Sequence, residues 1–204
     1  MTNHNKSLSI GAIIGNGMKL GSKNFISITV NLILFILTIW IPYINVGTLI
    51  GMTSGITLKM SKGTIIKPTE IFDKTYRQYF GEYFLMSGLK SIGLIFAFLF
   101  VIIPYLILYY AWFISDLLFL DRKSSAFNAF EKSNEIMYDN KLNVFIAHIL
   151  LPIVLGIIVY IVNSLNNQLA VLVLVFEIVL FVPMVMGMRA YVYGELTKGI
   201  SENA

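Results

Sequence analysis

Long apolar segments without charged residues most constrain the fold of this chain. Residues 144–163, for example, contain no Asp, Glu, Lys or Arg. A helix that crosses a bilayer needs about 20 such residues, at a rise of about 1.5 Å each. Six segments approach this length, at residues 25–42, 43–58, 83–103, 104–120, 144–163 and 168–188. They predict an all-α integral membrane protein with six transmembrane helices as three hairpins, and residues 1–204 as a single transmembrane domain.

The composition agrees with a membrane protein. Hydrophobic residues make up 57% of the chain and charged residues 13%, and the mean hydropathy is +0.78. Soluble domains have about 25% charged residues, so a water-soluble globule of this composition would expose large apolar patches. The chain has no cysteine and only two histidines, which excludes disulfides and thiolate zinc sites. We expect no cofactor.

The cationic residues indicate the orientation, because Lys- and Arg-rich loops stay on the cytoplasmic side. The connections near residues 43, 103 and 164–167 carry no charge. Both termini are therefore expected in the cytoplasm, and the net charge of +4 indicates attraction to anionic lipid rather than nucleic-acid binding. The cations outside the predicted spans are Lys6, Lys19, Lys23, Lys59, Lys62, Lys67, Lys74, Arg77, Arg122, Lys123, Lys132, Lys141, Arg189 and Lys198.

Short sequence matches indicate an internal repeat. Ile41-Pro42-Tyr43 recurs as Ile103-Pro104-Tyr105, and residues 71–75 match residues 129–133. Amphipathic patterns at residues 10–18, 71–80 and 127–137 precede the three predicted hairpins. We expect three copies of one unit, in which a short cytoplasmic interfacial helix precedes a hairpin of two spans. Chance similarity between apolar segments is the alternative.

Two motifs are similar to those of an uncharacterised bacterial polytopic integral membrane family. Residues 133–141 (SNEIMYDNK) resemble the pattern S-x-E-x-M-x-G-x-K of that family, and residues 190–196 resemble its closing motif. Asp139 replaces the glycine of the first pattern, and Met184 stands where a Tyr is usual after Pro183. The family is related to YciC-like proteins and to the membrane domain of glycerophosphoryl diester phosphodiesterases. The resemblance implies a six-span fold in a bacterial plasma (inner) membrane, and no catalytic residue.

Ionisable residues within the spans are the candidates for a site, because charge inside a membrane is costly unless it is paired. Lys90 and Asp116 lie in antiparallel spans roughly 5 to 10 Å inside the cytoplasmic boundary, and we expect them to meet. They are either a packing ion pair, or side chains that extend toward the interface, or a pair that conducts ions or grips a substrate. Glu177 has no opposite charge at its depth, with Arg189 about three turns away on the same helix. It is either a hydrogen-bonded structural acid or a proton or partner site, and His148 is expected to be a satisfied interior donor rather than a metal ligand.

Glycines mark a second candidate surface. Gly47, Gly51 and Gly55 lie on one helix face and permit close approach of another backbone. We expect them to pack against another span of this chain, with a partner protein as the alternative. The glycines between residues 11 and 21 do not fit a phosphate-binding loop.

The sequence predicts a non-enzymatic protein that acts through the membrane or a partner, either immunity-like or in support of an assembly. Its partners would be the lipid bilayer and another membrane protein or a membrane-active peptide. The alternative is a small transporter or channel subunit that uses Lys90, Asp116 and Glu177. An enzyme acting on lipid ranks third, because no nucleophile and base pair or catalytic motif is present. We assign no catalytic, cofactor-binding or metal-binding residue.

Overall fold

The computed structural model describes residues 7–198, and in this range every regular element is a helix. Lys6, counted above among the cytoplasmic cations, lies outside the described residues. A π-helix, Gly51–Gly55, joins α3 to α4, and two 3-10 helices, Glu70–Phe72 and Lys74–Tyr79, precede α5. The α-helices are α1 Ile10–Lys23, α2 Phe25–Thr38, α3 Pro42–Ile50, α4 Ile56–Ser61, α5 Phe80–Leu99, α6 Ile102–Ala111, α7 Ser115–Arg122, α8 Ala126–Ile136, α9 Lys141–Leu165 and α10 Asn167–Leu196.

Several of these helices are suited to a membrane. Four helical stretches of the described chain are long and apolar enough to cross one, and the pair α1–α2, bent by 71°, makes up to five. The four are Lys74–Leu99, Ile102–Arg122, Lys141–Leu165 and Asn167–Leu196. The prediction of an all-α chain with several candidate membrane spans is thus confirmed for the described residues.

The predicted span at residues 43–58 is not among these candidates. The chain is helical from Pro42 to Ser61, but Gly, Thr, Ser and Asn residues make this segment less apolar than its neighbours. Helices α2, α5, α7 and α10 contact it. Ile50, Ile56 and Thr57 on the segment are buried. Because other helices shield it, the segment does not need the apolar surface of a lipid-exposed helix.

Several predicted boundaries differ from the structure. The turn between the third and fourth spans lies at Phe100 and Val101, ahead of Pro104. Pro104 instead occupies the first turn of α6, where the missing N–H has no intrahelical partner to lose. The last two helices are also longer than predicted, and the 30 residues of α10 extend about 45 Å.

The three amphipathic segments take different forms. The first belongs to α1, which packs closely along α10. The second is formed by two 3-10 helices instead of an α-helix, and the third is α8. At the crossing of α1 and α10, a Cβ atom added to Gly187 would collide with the backbone oxygen of Gly17 and lie 2.6 Å from the nitrogen of Gly21. The absence of side chains at this crossing therefore permits the close packing of α1 and α10.

The glycine face of residues 47–55 packs against the segment that leads into α5. A Cβ atom at Gly51 would lie 2.9 Å from the Cα atom of Ile71, and one at Gly55 would overlap the ring of Tyr76. At Gly47 it would lie 3.0 Å from Cγ of Arg77. The glycines therefore pack against the two 3-10 helices, and the second of these begins the candidate span Lys74–Leu99. The expected packing against another span of this chain is observed for Gly47 and Gly55, through Arg77 and Tyr76.

Candidate functional site

A break in the candidate span Ile102–Arg122 organises the main polar site. Helix α6 ends at Ala111 and α7 begins at Ser115, so the carbonyl groups between them lack the usual intrahelical partners. Ser133 of α8 donates to the oxygen of Ala111 at 2.8 Å, and Lys90 of α5 donates to that of Trp112 at 2.8 Å. The Nε and Nη2 atoms of Arg189 donate to the oxygen of Phe113 at 3.1 and 2.9 Å. Side chains from three helices thus satisfy the broken backbone.

Asp116 stands at the centre of the ionic contacts. It lies in the first turn of α7, where the helix dipole favours a negative charge. Its carboxylate accepts hydrogen bonds from Ser54 and Arg189. The ammonium group of Lys90 lies 3.6 Å from the same carboxylate, so the expected contact between these two residues is present. We call Lys90, Asp116 and Arg189 the ionic triad.

The π-helix provides the next layer of contacts to the ionic triad. The hydroxyl group of Tyr83 lies 2.8 Å from that of Thr53 and 2.7 Å from that of Ser54. Nη1 of Arg189 donates to the backbone oxygen of Thr53 at 3.1 Å. Because π-helical turns occur frequently at functional sites, this segment marks the polar cluster independently of the charges.

The charges of the ionic triad do not cancel formally, since two cations face one carboxylate. The C-terminus of α6 supplies partial negative charge, because its carbonyl groups point toward Lys90 and Arg189. Each triad residue is bonded to the others or to the broken backbone. Among the described residues, no group of His, Asp and Glu side chains is placed to hold a metal ion. The arrangement is suited to holding the two halves of a broken span together.

Two triad residues take their places from long helices. Lys90 lies near the middle of α5, about 15 Å from its first residue and about 14 Å from its last. Arg189 lies about three turns from Glu177 on α10, as expected, and binds Asp116. The cause is the length of α10, which carries Arg189 to the level of the break.

His148 lies beside the site without joining its hydrogen bonds. Its ring centroid is 5.0 Å from that of Phe113 and 5.9 Å from that of Tyr110. Neither ring nitrogen has a hydrogen-bond partner among residues 7–198, so the expected satisfied donor is not observed. Aromatic packing, rather than hydrogen bonding, positions this imidazole.

Glu177 is remote from the ionic triad. It precedes Arg189 by twelve residues on α10, about 18 Å along the helix. The residue is only 8% exposed, and the described part of the chain offers it no hydrogen bond or ion pair. The neighbouring Phe176 is 59% exposed. The structure thus separates Glu177 from the three charges that it brings together.

Several hydroxyl groups of the site were not identified from the sequence. Ser54, Tyr83 and Ser133 lie in apolar or amphipathic segments, where such residues commonly bond to their own helix. The break at residues 112–114 contains no Pro or Gly. One signal was available, because Ser115-Asp116 in an apolar run is the kind of pair that starts a helix.

A second ionic cluster lies at the end of α4, outside the candidate spans. Lys59 donates to Glu70 and, at 2.9 Å, to Asp73. The hydrogen bond from Lys59 lowers the pKa of Asp73 to about 2. These contacts hold the two 3-10 helices, and hence Tyr76, against the glycine face.

Comparison with protein-family models, curated proteins and solved structures found no match. The resemblance noted in residues 133–141 and 190–196 stays a prediction. Function is therefore inferred from the geometry of the chain itself.

Proposed function

We propose that this chain is a non-enzymatic, six-span protein of a bacterial plasma membrane. It acts by lateral contact with another membrane protein or a membrane-active peptide, in an immunity-like or assembly-supporting role. The contact surface is the outer half of the α9–α10 hairpin, residues 149–181. The observation that supports this proposal is Glu177, an acid in that hairpin with no partner among the described residues.

The α9–α10 hairpin extends further than α5 from the ionic triad. Lys90 and Arg189 both lie beside Asp116, so the lengths of α5 and α10 can be compared from the same position. From there, α5 continues for about 14 Å to its end at Leu99, whereas α10 extends for about 33 Å back to its start at Asn167. The outer half of α10 is therefore longer than the matching part of α5.

The two halves of α10 also differ in burial. Pro183, Met188 and Tyr193 of the inner half are buried, while Val175 and Phe176 of the outer half are 56% and 59% exposed. Lipid can cover apolar side chains, but it offers no hydrogen-bond partner to a carboxyl group at this depth. Helices associate in membranes through such polar contacts. A partner helix that covers the exposed Val175 and Phe176, and that reaches the 8% of Glu177 left exposed, would supply the donor that the hairpin lacks.

The ionic triad supports the same interpretation. Its members are bonded to one another and to the carbonyl groups of the break, so the triad has a sufficient structural role in joining α6 to α7. We assign recognition to the hairpin surface and architecture to the triad.

Site-specific photo-crosslinking in the native membrane tests the proposal. We expect a photo-reactive residue at Val175 to yield a crosslinked partner, and one at the equally exposed Ile95 of α5 to yield none. Glu177→Leu should remove the product, whereas Glu135→Gln on exposed α8 should not. Identical products from both positions, or a product unaffected by Glu177→Leu, would contradict the proposal.

The alternative function is a small transporter or channel subunit that uses Lys90, Asp116 and Glu177. The break at residues 112–114 favours it, because transporters build ion sites from discontinuous helices. Reconstituted vesicles distinguish the two functions. Solute or proton flux that Glu177→Gln abolishes would favour transport, and flux equal to that of empty vesicles would reject it.

The orientation is part of the proposal. We place both termini and the loop at Lys62 in the cytoplasm, and the turns at residues 39–41, 100–101 and 166 outside. We further propose that α1, the 3-10 helices and α8 are equivalent units, each preceding one hairpin. A tag at Lys62 should be inaccessible to an impermeant reagent in intact cells, and labelling there would reject this orientation.

A further inference from the structure

A cavity of about 440 Å³, largely open to the surface of the molecule, lies beside the broken span. This volume is within the range of small-molecule sites, which is about 300 to 1,000 Å³. Helix α5 contributes Ala97 to its lining, and α8 and α9 contribute Asn134 and Lys141. The remaining lining residues are Pro104, Ile107, Leu108, Ala111 and Trp112. The cavity is thus apolar along α6 and polar at one end.

The polar end carries an unneutralised positive charge. Nζ of Lys141 donates to Oδ1 of Asn134 at 2.7 Å and lies 5.5 Å from the ring centroid of Tyr138. No carboxylate among residues 7–198 forms an ion pair with Lys141. The amide N–H groups of Asn134 have no acceptor in the same part of the chain. Two donors are therefore available to an anionic group.

The apolar wall is long enough to contact part of an acyl chain. It follows α6 from Pro104 to Ala111, about 10 Å along the helix. Trp112 follows this wall at the C-terminal end of α6 and stacks on Phe130 with 4.6 Å between ring centroids. Tryptophan is enriched where an apolar environment meets a polar one.

We propose that this cavity binds one anionic phospholipid. The phosphate group accepts hydrogen bonds from Lys141 and Asn134, and one acyl chain lies along α6 against Ile107 and Leu108. The charge of Lys141 selects an anionic lipid, because the ammonium group of a zwitterionic headgroup would meet a like charge. The bound lipid would also contact the break, since Trp112, the first residue of the break, lines the cavity.

Native mass spectrometry of the purified full chain tests this site. The protein is titrated with phosphatidylglycerol or phosphatidylcholine that carries the same acyl chains. We expect about a fivefold preference for phosphatidylglycerol, the effect of one lysine near an anionic headgroup. Lys141→Gln should remove the preference, whereas Lys19→Gln at an exposed position of α1 should keep it. Ala97→Phe should weaken binding of both lipids by filling the apolar end.

Three results would overturn the proposal. They are equal binding of the two lipids by the unmodified chain, an unchanged preference in Lys141→Gln, and competition by inorganic phosphate alone, which would indicate a site for a free anion. If Lys141→Gln does not fold, Ala97→Phe and the phosphate competition decide the question, because both leave the charge of Lys141 in place.

Discussion

Asp116→Asn tests whether the ionic triad holds the broken span together. The substitution keeps the size of the side chain but leaves Lys90 and Arg189, 20% and 17% exposed, beside a neutral amide. Removing one partner of a buried ion pair costs about 3–5 kcal/mol. For a chain of this length, such a loss lowers the melting temperature by about 6–20 °C. Thermal unfolding in detergent micelles measures the change.

An exposed ion pair provides the matched control. Lys62 pairs with Asp121 and is 56% exposed, so Lys62→Gln should cost less than about 1 kcal/mol. The double variant Asp116→Asn/Arg189→Gln should lose less stability than the sum of the single variants, by about 0.5–3 kcal/mol. Additive losses, or equal melting temperatures for Asp116→Asn and Lys62→Gln, would refute the role assigned to the triad.

Three further predictions concern other contacts. Gly187→Ala should lower the free energy of unfolding by about 1–3 kcal/mol, measured by thermal unfolding, because the added Cβ atom meets the backbone of Gly17. Gly15→Ala, where a Cβ atom has open space, should not destabilise the protein, and equal effects of the two substitutions would contradict the close crossing of α1 and α10. Ser133→Ala leaves the buried carbonyl group of Ala111 unpaired and should lower the free energy of unfolding by about 1–3 kcal/mol. In the same assay, Ser91→Ala at an exposed position should lower it by less than about 0.5 kcal/mol. The pKa of Asp73 is lowered from about 4 to about 2, so its contribution to folding stability is complete above pH 4 and is lost as the pH falls toward 2. When stability is measured against pH, Asp73→Asn should lack this acid loss.

The helical class and the tip of the α9–α10 hairpin could be predicted because they depend on local properties. Runs such as residues 144–163 are apolar over the length of a span, and Asn166 starts α10 by accepting from the backbone of Gln168 and Leu169. Lys90 and Asp116 were predicted to meet from their positions in adjacent antiparallel helices. Both inferences need only spacing along the chain.

The break and the glycine contacts could not be predicted in the same way. Residues 112–114 lack the usual helix breakers, and their carbonyl groups are satisfied by Lys90, Ser133 and Arg189, which are distant in sequence. Gly17 and Gly187 meet although 170 residues separate them. Which glycine face receives a helix and which receives an aromatic ring depends on the packed arrangement.

The sequence by itself determined the helical class and the apolar segments suited to a bilayer, because both follow from residue type and spacing. Only the tertiary structure decided that Arg189 completes an ionic triad with Lys90 and Asp116, and that Glu177 stands apart from it. The physical reason is that hydrogen bonds and ion pairs act over a few ångströms. The residues they join come from helices whose relative depth and rotation are set by packing.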